Sequence, residues 1–142
     1  MLDRARDAQV EGITVLGGEP LQQPVGLSWL AAQAQARGLG VIVFTGYTLE
    51  QAQHLDGLSL LWGNLDTLID GPFDRYQPET RRRFIGSANQ RLHHRTQRYA
   101  APELWNGPQR IEVRIDAQGE VEVHGLPRSV SRLTRVLRPG SS

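Results

Sequence analysis

Gly12-Ile13-Thr14-Val15-Leu16-Gly17-Gly18-Glu19-Pro20 is an apolar run that stops on two glycines. Isoleucine, threonine and valine side by side suit a pleated, buried strand, and paired glycines break it into a loop. The same grammar returns twice. Val41-Ile42-Val43-Phe44 ends on Thr45-Gly46-Tyr47, and the run from Leu65 to Ile69 ends on Asp70-Gly71-Pro72. Val41 to Phe44 is continuously apolar rather than alternating, as expected of a parallel strand covered on both faces. Between the first two runs, Leu27, Leu30, Ala31 and Ala34 recur at i, i+3, i+4 and i+7, one stripe of a helix that Gly38 closes. Thr48 and Gln51 form a capping box that opens a short helix through about Leu55. The order β, α, β, α, β predicts an α/β fold with parallel strands and right-handed crossovers. Ligands of such sheets lie beyond the carboxyl ends of the strands. The loops Gly17 to Pro20, Thr45 to Tyr47 and Asp70 to Phe73 are therefore expected to share one rim.

Outward from this frame, residues 1–9 read as a short helical end. Residues 74–108 are polar and irregular, with seven arginines from Arg75 to Arg98 and prolines at 78, 102 and 108. This segment is expected to be a long functional loop, folded over the site or docked on a partner. Ile111-Glu112-Val113-Arg114-Ile115 and Val121-Glu122-Val123 alternate across Gln118-Gly119, which predicts a β-hairpin. Pro127 then suits a helix start, with Val130, Leu133, Val136 and Leu137 as its apolar stripe. The expected division is a main unit over 1–100 and an extension over 101–142.

Composition narrows the chemistry. Sixteen basic against fifteen acidic residues give a net charge of +1 in 142 residues, so bulk charge points to neither nucleic acid nor a membrane. No apolar run approaches the roughly 20 residues that cross a bilayer, and the start has no signal-like stretch. A soluble, cytoplasmic protein is the expectation. There is no cysteine, which removes disulfides and the usual thiolate ligands of zinc and iron–sulfur sites. His93 and His94 are adjacent and point to different sides of any regular element, His54 and His124 stand alone, and no metal ligands are assigned. Tyr76, Phe84 and Tyr99 interleave the arginines and could stack bases, but charge runs generally solvate a face, and nucleic acid is not an expected partner. Neither a nucleophile elbow nor a phosphate-binding loop is present.

Gly17-Gly18-Glu19-Pro20 with Leu21 and Gln22, Thr45-Gly46-Tyr47-Thr48, Ile69-Asp70-Gly71-Pro72-Phe73, and Gly86-Ser87-Ala88-Asn89-Gln90-Arg91 with Arg98-Tyr99 occur in this order. Over residues 11–99 the chain resembles the radical S-adenosylmethionine superfamily, in particular the activating enzymes of anaerobic ribonucleotide reductase and other glycyl-radical activases. The resemblance implies a partial, open parallel (βα) barrel that lacks its first βα unit, followed by the hairpin and helix. It implies S-adenosylmethionine and a 4Fe-4S cluster as cofactors. Gly17, Gly18, Glu19 and Pro20 would contact the amino group of the methionyl moiety, with Thr45 and Asp70 toward the methionyl or ribose side. A glycyl-radical enzyme or another protein would be the partner. The family's Cys-x3-Cys-x2-Cys loop is missing, so no catalytic residue is assigned. The chain is expected to be an N-terminally truncated activase, inactive by itself. The alternative is a non-catalytic remnant or scaffold domain that docks a protein through its arginine-rich segment.

Overall fold

The structure, a computed structural model, describes residues 2, 11–16, 18–108, 112–115 and 121–124. Strand β1 (Gly12–Val15) leads through a 3-10 turn (Pro20–Gln22) into helix α1 (Pro24–Ala36). Strand β2 (Gly40–Phe44), helices α2 (Leu49–Ala52) and α3 (Asp56–Trp62), and strand β3 (Thr67–Asp70) follow. Strand β4 (Arg91–His94), helix α4 (Pro102–Trp105), and strands β5 (Glu112–Ile115) and β6 (Val121–His124) complete the elements.

A four-stranded sheet runs in the order β1-β2-β3-β4. β1 pairs with β2, and β2 with β3, in parallel, as the alternation of apolar runs and helical stripes predicts. β4 departs from that expectation. It lies antiparallel on β3, with Thr67 opposite His94 and Asp70 opposite Arg91, so the sheet is mixed. The arginine-rich segment thus contributes a strand and a helix where an irregular loop was expected. The sequence Arg91-Leu92-His93-His94 hides the strand because three of its four side chains are polar and find their partners, Asp70, Glu50 and Thr67, on other elements. The third strand also begins later than expected. Leu65 is fully buried but precedes β3, and Asp70 belongs to the strand.

Both faces of the sheet are covered from β2 to β4, while Thr14 of β1 stays exposed. On one, Val41, Val43 and Leu68 pack against Leu27, Ala31 and Ala34 of α1 and Leu58 and Leu61 of α3, as the stripe on α1 requires. α3 was not anticipated, because the expected capped helix stops early and Asp56 opens a second one. On the other face Ile42, Phe44, Ile69 and Leu92 meet Ile85 and Trp105. Burying one such side chain stabilises by about 1.5–3 kcal/mol, so residues 74–108 form a true second layer. Trp105 is fixed further by its Nε1–H, which donates to the Tyr99 carbonyl at 2.7 Å.

The arginines of this layer act as clamps. Arg98 donates to the Glu11 carboxylate at 2.7 Å and to the carbonyls of Glu11 at 3.0 Å and Gly38 at 2.8 Å. Arg95 donates to the Leu65 carbonyl at 2.6 Å. Next to Arg98, the Tyr99 hydroxyl lies against the paired Gly12 and Gly40, where a β-carbon would overlap it. That contact closes the amino-terminal end of β1 and β2.

β5 and β6 form the expected antiparallel hairpin, with Val113 opposite Val123. The helical end at residues 1–9, apart from buried Leu2, and the C-terminal helix from Pro127 lie outside the described residues. Among the described residues no helix is long and apolar enough to cross a membrane.

Candidate functional site

Three loops leave the carboxyl ends of β1, β2 and β3, and hydrogen bonds tie them into one rim. Glu19 is the first knot. As N-cap of the 3-10 turn its Oε1 accepts from the Leu21 N–H at 3.1 Å and from the Thr45 hydroxyl at 2.6 Å. Its Oε2 accepts from the Gly46 N–H at 2.9 Å. Thr45 is buried, its N–H donates to the Ile69 carbonyl at 2.9 Å, and its hydroxyl accepts from the Tyr47 N–H at 3.2 Å. The Gly71 N–H in turn reaches the Tyr47 carbonyl at 2.7 Å. Neighbouring strands therefore present neighbouring loops, as the parallel topology demands.

Asp70 is the second knot and has no solvent exposure. Its Oδ2 accepts from the Leu49 N–H and from Arg91 Nη2, each at 2.6 Å, and its Oδ1 from the Arg91 N–H and Nε, each at 3.2 Å. His93 Nε2 stands 3.2 Å from Oδ2 but out of line for a hydrogen bond. Burial pushes the Asp70 carboxyl up. The bonds from Arg91 and Leu49, with His93 beside it, outweigh burial and hold its pKa below the usual carboxylate range. Arg91 continues to Glu50 at 2.7 and 3.1 Å, and this pairing draws the exposed Glu50 carboxyl down to about 2. On the opposite side of β4, His94 Nδ1 meets the Thr67 hydroxyl at 2.8 Å, and burial lowers its pKa.

The residues singled out by sequence thus separate by role. Gly18, Glu19, Pro20 and Thr45 are brought together. Gly18 is exposed, adopts φ +57, and has open space where a β-carbon would point. Pro20 is buried and starts the 3-10 turn. Glu19 and Thr45 hold the loops to each other through their own side chains. Asp70 shares the rim but braces it from inside. Gly17 lies outside the described residues. Sequence reasoning missed the Gly46 N–H as the partner of Glu19, and it missed Arg91, Gln90 and His93 as the frame around β3. The string Gly86 to Arg91 carried that signal only as a motif.

A family model described as a 4Fe-4S single cluster domain matches residues 1–93. No curated protein and no solved structure matches the chain. Such clusters are normally held by cysteine thiolates, and these 142 residues contain none. Among the described residues no group of three or more His, Asp or Glu side chains could hold a metal ion. The two carboxylates at the rim, Glu19 and Asp70, already spend their oxygens on protein donors. The residues present do not fit the cluster.

Proposed function

The chain belongs to the 4Fe-4S single cluster domain family, and from that premise we propose that it is a cysteine-free relative of the radical S-adenosylmethionine activating enzymes. On this reading its sheet is part of an open (βα) barrel whose rim binds the methionyl end of S-adenosylmethionine. The observation that carries the reading is the Glu19 knot. By joining the Gly18–Pro20 loop to Thr45 and Gly46, it fixes an exposed backbone turn at the carboxyl ends of parallel strands. Because the Glu19 carboxylate is consumed in that task, the amino group of the ligand would be met by peptide carbonyls of the loop. Thr45 acts by position, holding β2's loop against β3. A 4Fe-4S cluster would supply the electron for reductive cleavage, and this chain offers it no ligands. On this reading the chain binds without cleaving.

The experiment combines two measurements on the 142-residue chain. Calorimetry with S-adenosylmethionine is expected to show one weak, saturable site. Anaerobic reconstitution with iron and sulfide is expected to leave well under one iron per chain and no 5′-deoxyadenosine under strong reductant. Four irons per chain would overturn the cysteine argument, and absence of binding would remove the ligand assignment.

The missing cysteines favour one second reading, a scaffold domain that docks a protein through its arginines. Arg82, Arg83, Arg91, Arg95 and Arg98 all hydrogen-bond to other parts of the fold, while Arg81, Arg91, Arg95 and Arg98 stay exposed, so the outward charge of such a surface would come from these four. A folded chain that binds no S-adenosylmethionine is the result this second reading requires.

A further inference from the structure

We propose that Phe73 is the stacking floor for the purine ring of a nucleoside ligand whose amino-acid end lies at Gly18–Pro20. This rests on the S-adenosylmethionine reading above and assigns the other end of that ligand. Phe73 follows Gly71-Pro72 at the carboxyl end of β3, two strands from β1 in the sheet. At about 4.8 Å per strand the two loops stand about 10 Å apart, room for a ligand with an amino-acid end and a base end. Hydrogen bonds from Gly46 to Glu19 and from Gly71 to Tyr47 make the intervening rim continuous.

Single exposed apolar side chains are common, so the 59% exposure of Phe73 would mean little alone. Its frame is what distinguishes it. The Gly71 carbonyl accepts from Gln90 Nε2 at 3.0 Å, and the Pro72 carbonyl from Asn89 Nδ2 at 2.7 Å. The Asp74 N–H donates to Ser87 Oγ at 3.0 Å, and Ser87 is fully buried. Gln90 Oε1 accepts from the N–H groups of Gly86 and Ser87 at 3.0 and 3.2 Å, so the backing segment is fixed as well. Gly86 lies so near the ring that an added β-carbon would come within 3.0 Å of Phe73 Cδ2. The backbone on either side of Phe73 is pinned, and the ring lies against Gly86 while most of it faces outward. A flat aromatic side chain in a rigid frame can stack a base at little ordering cost, and every base offers a π-face for it.

The test measures binding of S-adenosylmethionine, adenosine and methionine separately to the full chain and to Phe73→Ala and Phe73→Tyr, with melting curves to establish folding. Wild type is expected to bind S-adenosylmethionine and, more weakly, adenosine. Phe73→Ala should weaken both by about tenfold or more, the loss that follows removal of one base-stacking side chain, while Phe73→Tyr stays within about threefold of wild type. Methionine binding should not respond to Phe73. Adenosine binding that depends on Phe73, with no methionine binding, would support the stacking floor and sink the methionyl assignment. Methionine binding without adenosine binding, or adenosine affinity unchanged in Phe73→Ala, would overturn the stacking floor and leave the methionyl rim standing. A folded wild type that binds none of the three would overturn both.

Discussion

Asp70 carries the densest set of interactions at a single residue, and it is where charge and stability meet. Its carboxylate is fully buried, while Arg91 is half exposed and Glu50 outside it is largely in water. Removing one partner of a buried pair is costly because the other charge is left without compensation. Asp70→Asn should therefore destabilise the fold by about 3 kcal/mol at pH 7, read by urea unfolding. The pH dependence has a definite sign. The folded pKa of Asp70 lies below its unfolded value of about 3.9, so its pairing stabilises fully above that value. The contribution is lost as pH falls through the folded pKa. The gap between wild type and Asp70→Asn should close below about pH 4, and a gap unchanged at pH 3 would show that the Asn variant perturbs packing instead. Sequence placed Asp70 at the rim correctly. Its burial depended on Leu49 and Arg91 arriving from elements 21 residues away on either side.

At the scale of elements, the segment 74–108 is where expectation and structure part most. A run of arginines among prolines reads as a long loop that covers the site or docks a partner, and neutralising Arg81, Arg82 and Arg83 would then leave folding nearly unchanged. Instead the Glu79 side chain is buried and binds Arg82 through Oε2 at 2.8 and 2.7 Å, while its Oε1 caps the N–H groups of Arg81 and Arg82 at 2.8 Å each. Arg83 donates to the Asn106 carbonyl at 2.7 Å, and its N–H to the Trp105 carbonyl at 2.6 Å, which holds α4 on the sheet. The three arginines should separate in alanine scanning. Arg82→Ala is expected to cost about 2 kcal/mol by leaving a buried carboxylate underpaired, and Arg81→Ala under about 0.5 kcal/mol. Equal, negligible losses in thermal melts would return the segment to the status of a solvated loop. The capping box at Thr48, by contrast, was legible because it is local: Thr48 Oγ1 accepts from the Gln51 N–H at 3.2 Å, and Gln51 Oε1 accepts from the Thr48 N–H at 2.9 Å.

For the whole molecule, the fold stands on two apolar layers and a web of charged hydrogen bonds, with no thiolate in the chain. Its melting temperature should accordingly be the same, within about 1 °C, in the presence of a reductant or a metal chelator, since the chain has no cysteine and its described residues hold no metal-ligand group. A clear drop with chelator would reveal a structural metal. The sequence by itself determined the elements whose cause is local: three apolar runs as parallel strands, the striped helix α1, the capping box, and the hairpin of β5 and β6. It also determined that the chain has no cysteine, because composition needs no geometry. Tertiary structure alone decided the rest. Whether Arg91-Leu92-His93-His94 is a strand depends on Asp70 and Thr67 lying opposite it. Whether Glu19 meets a ligand or its own neighbours depends on where β2 ends. Polar side chains carry no periodic signal of their own, since their partners are set by long-range contact, and so the sequence could place the rim but not say which of its residues hold it together.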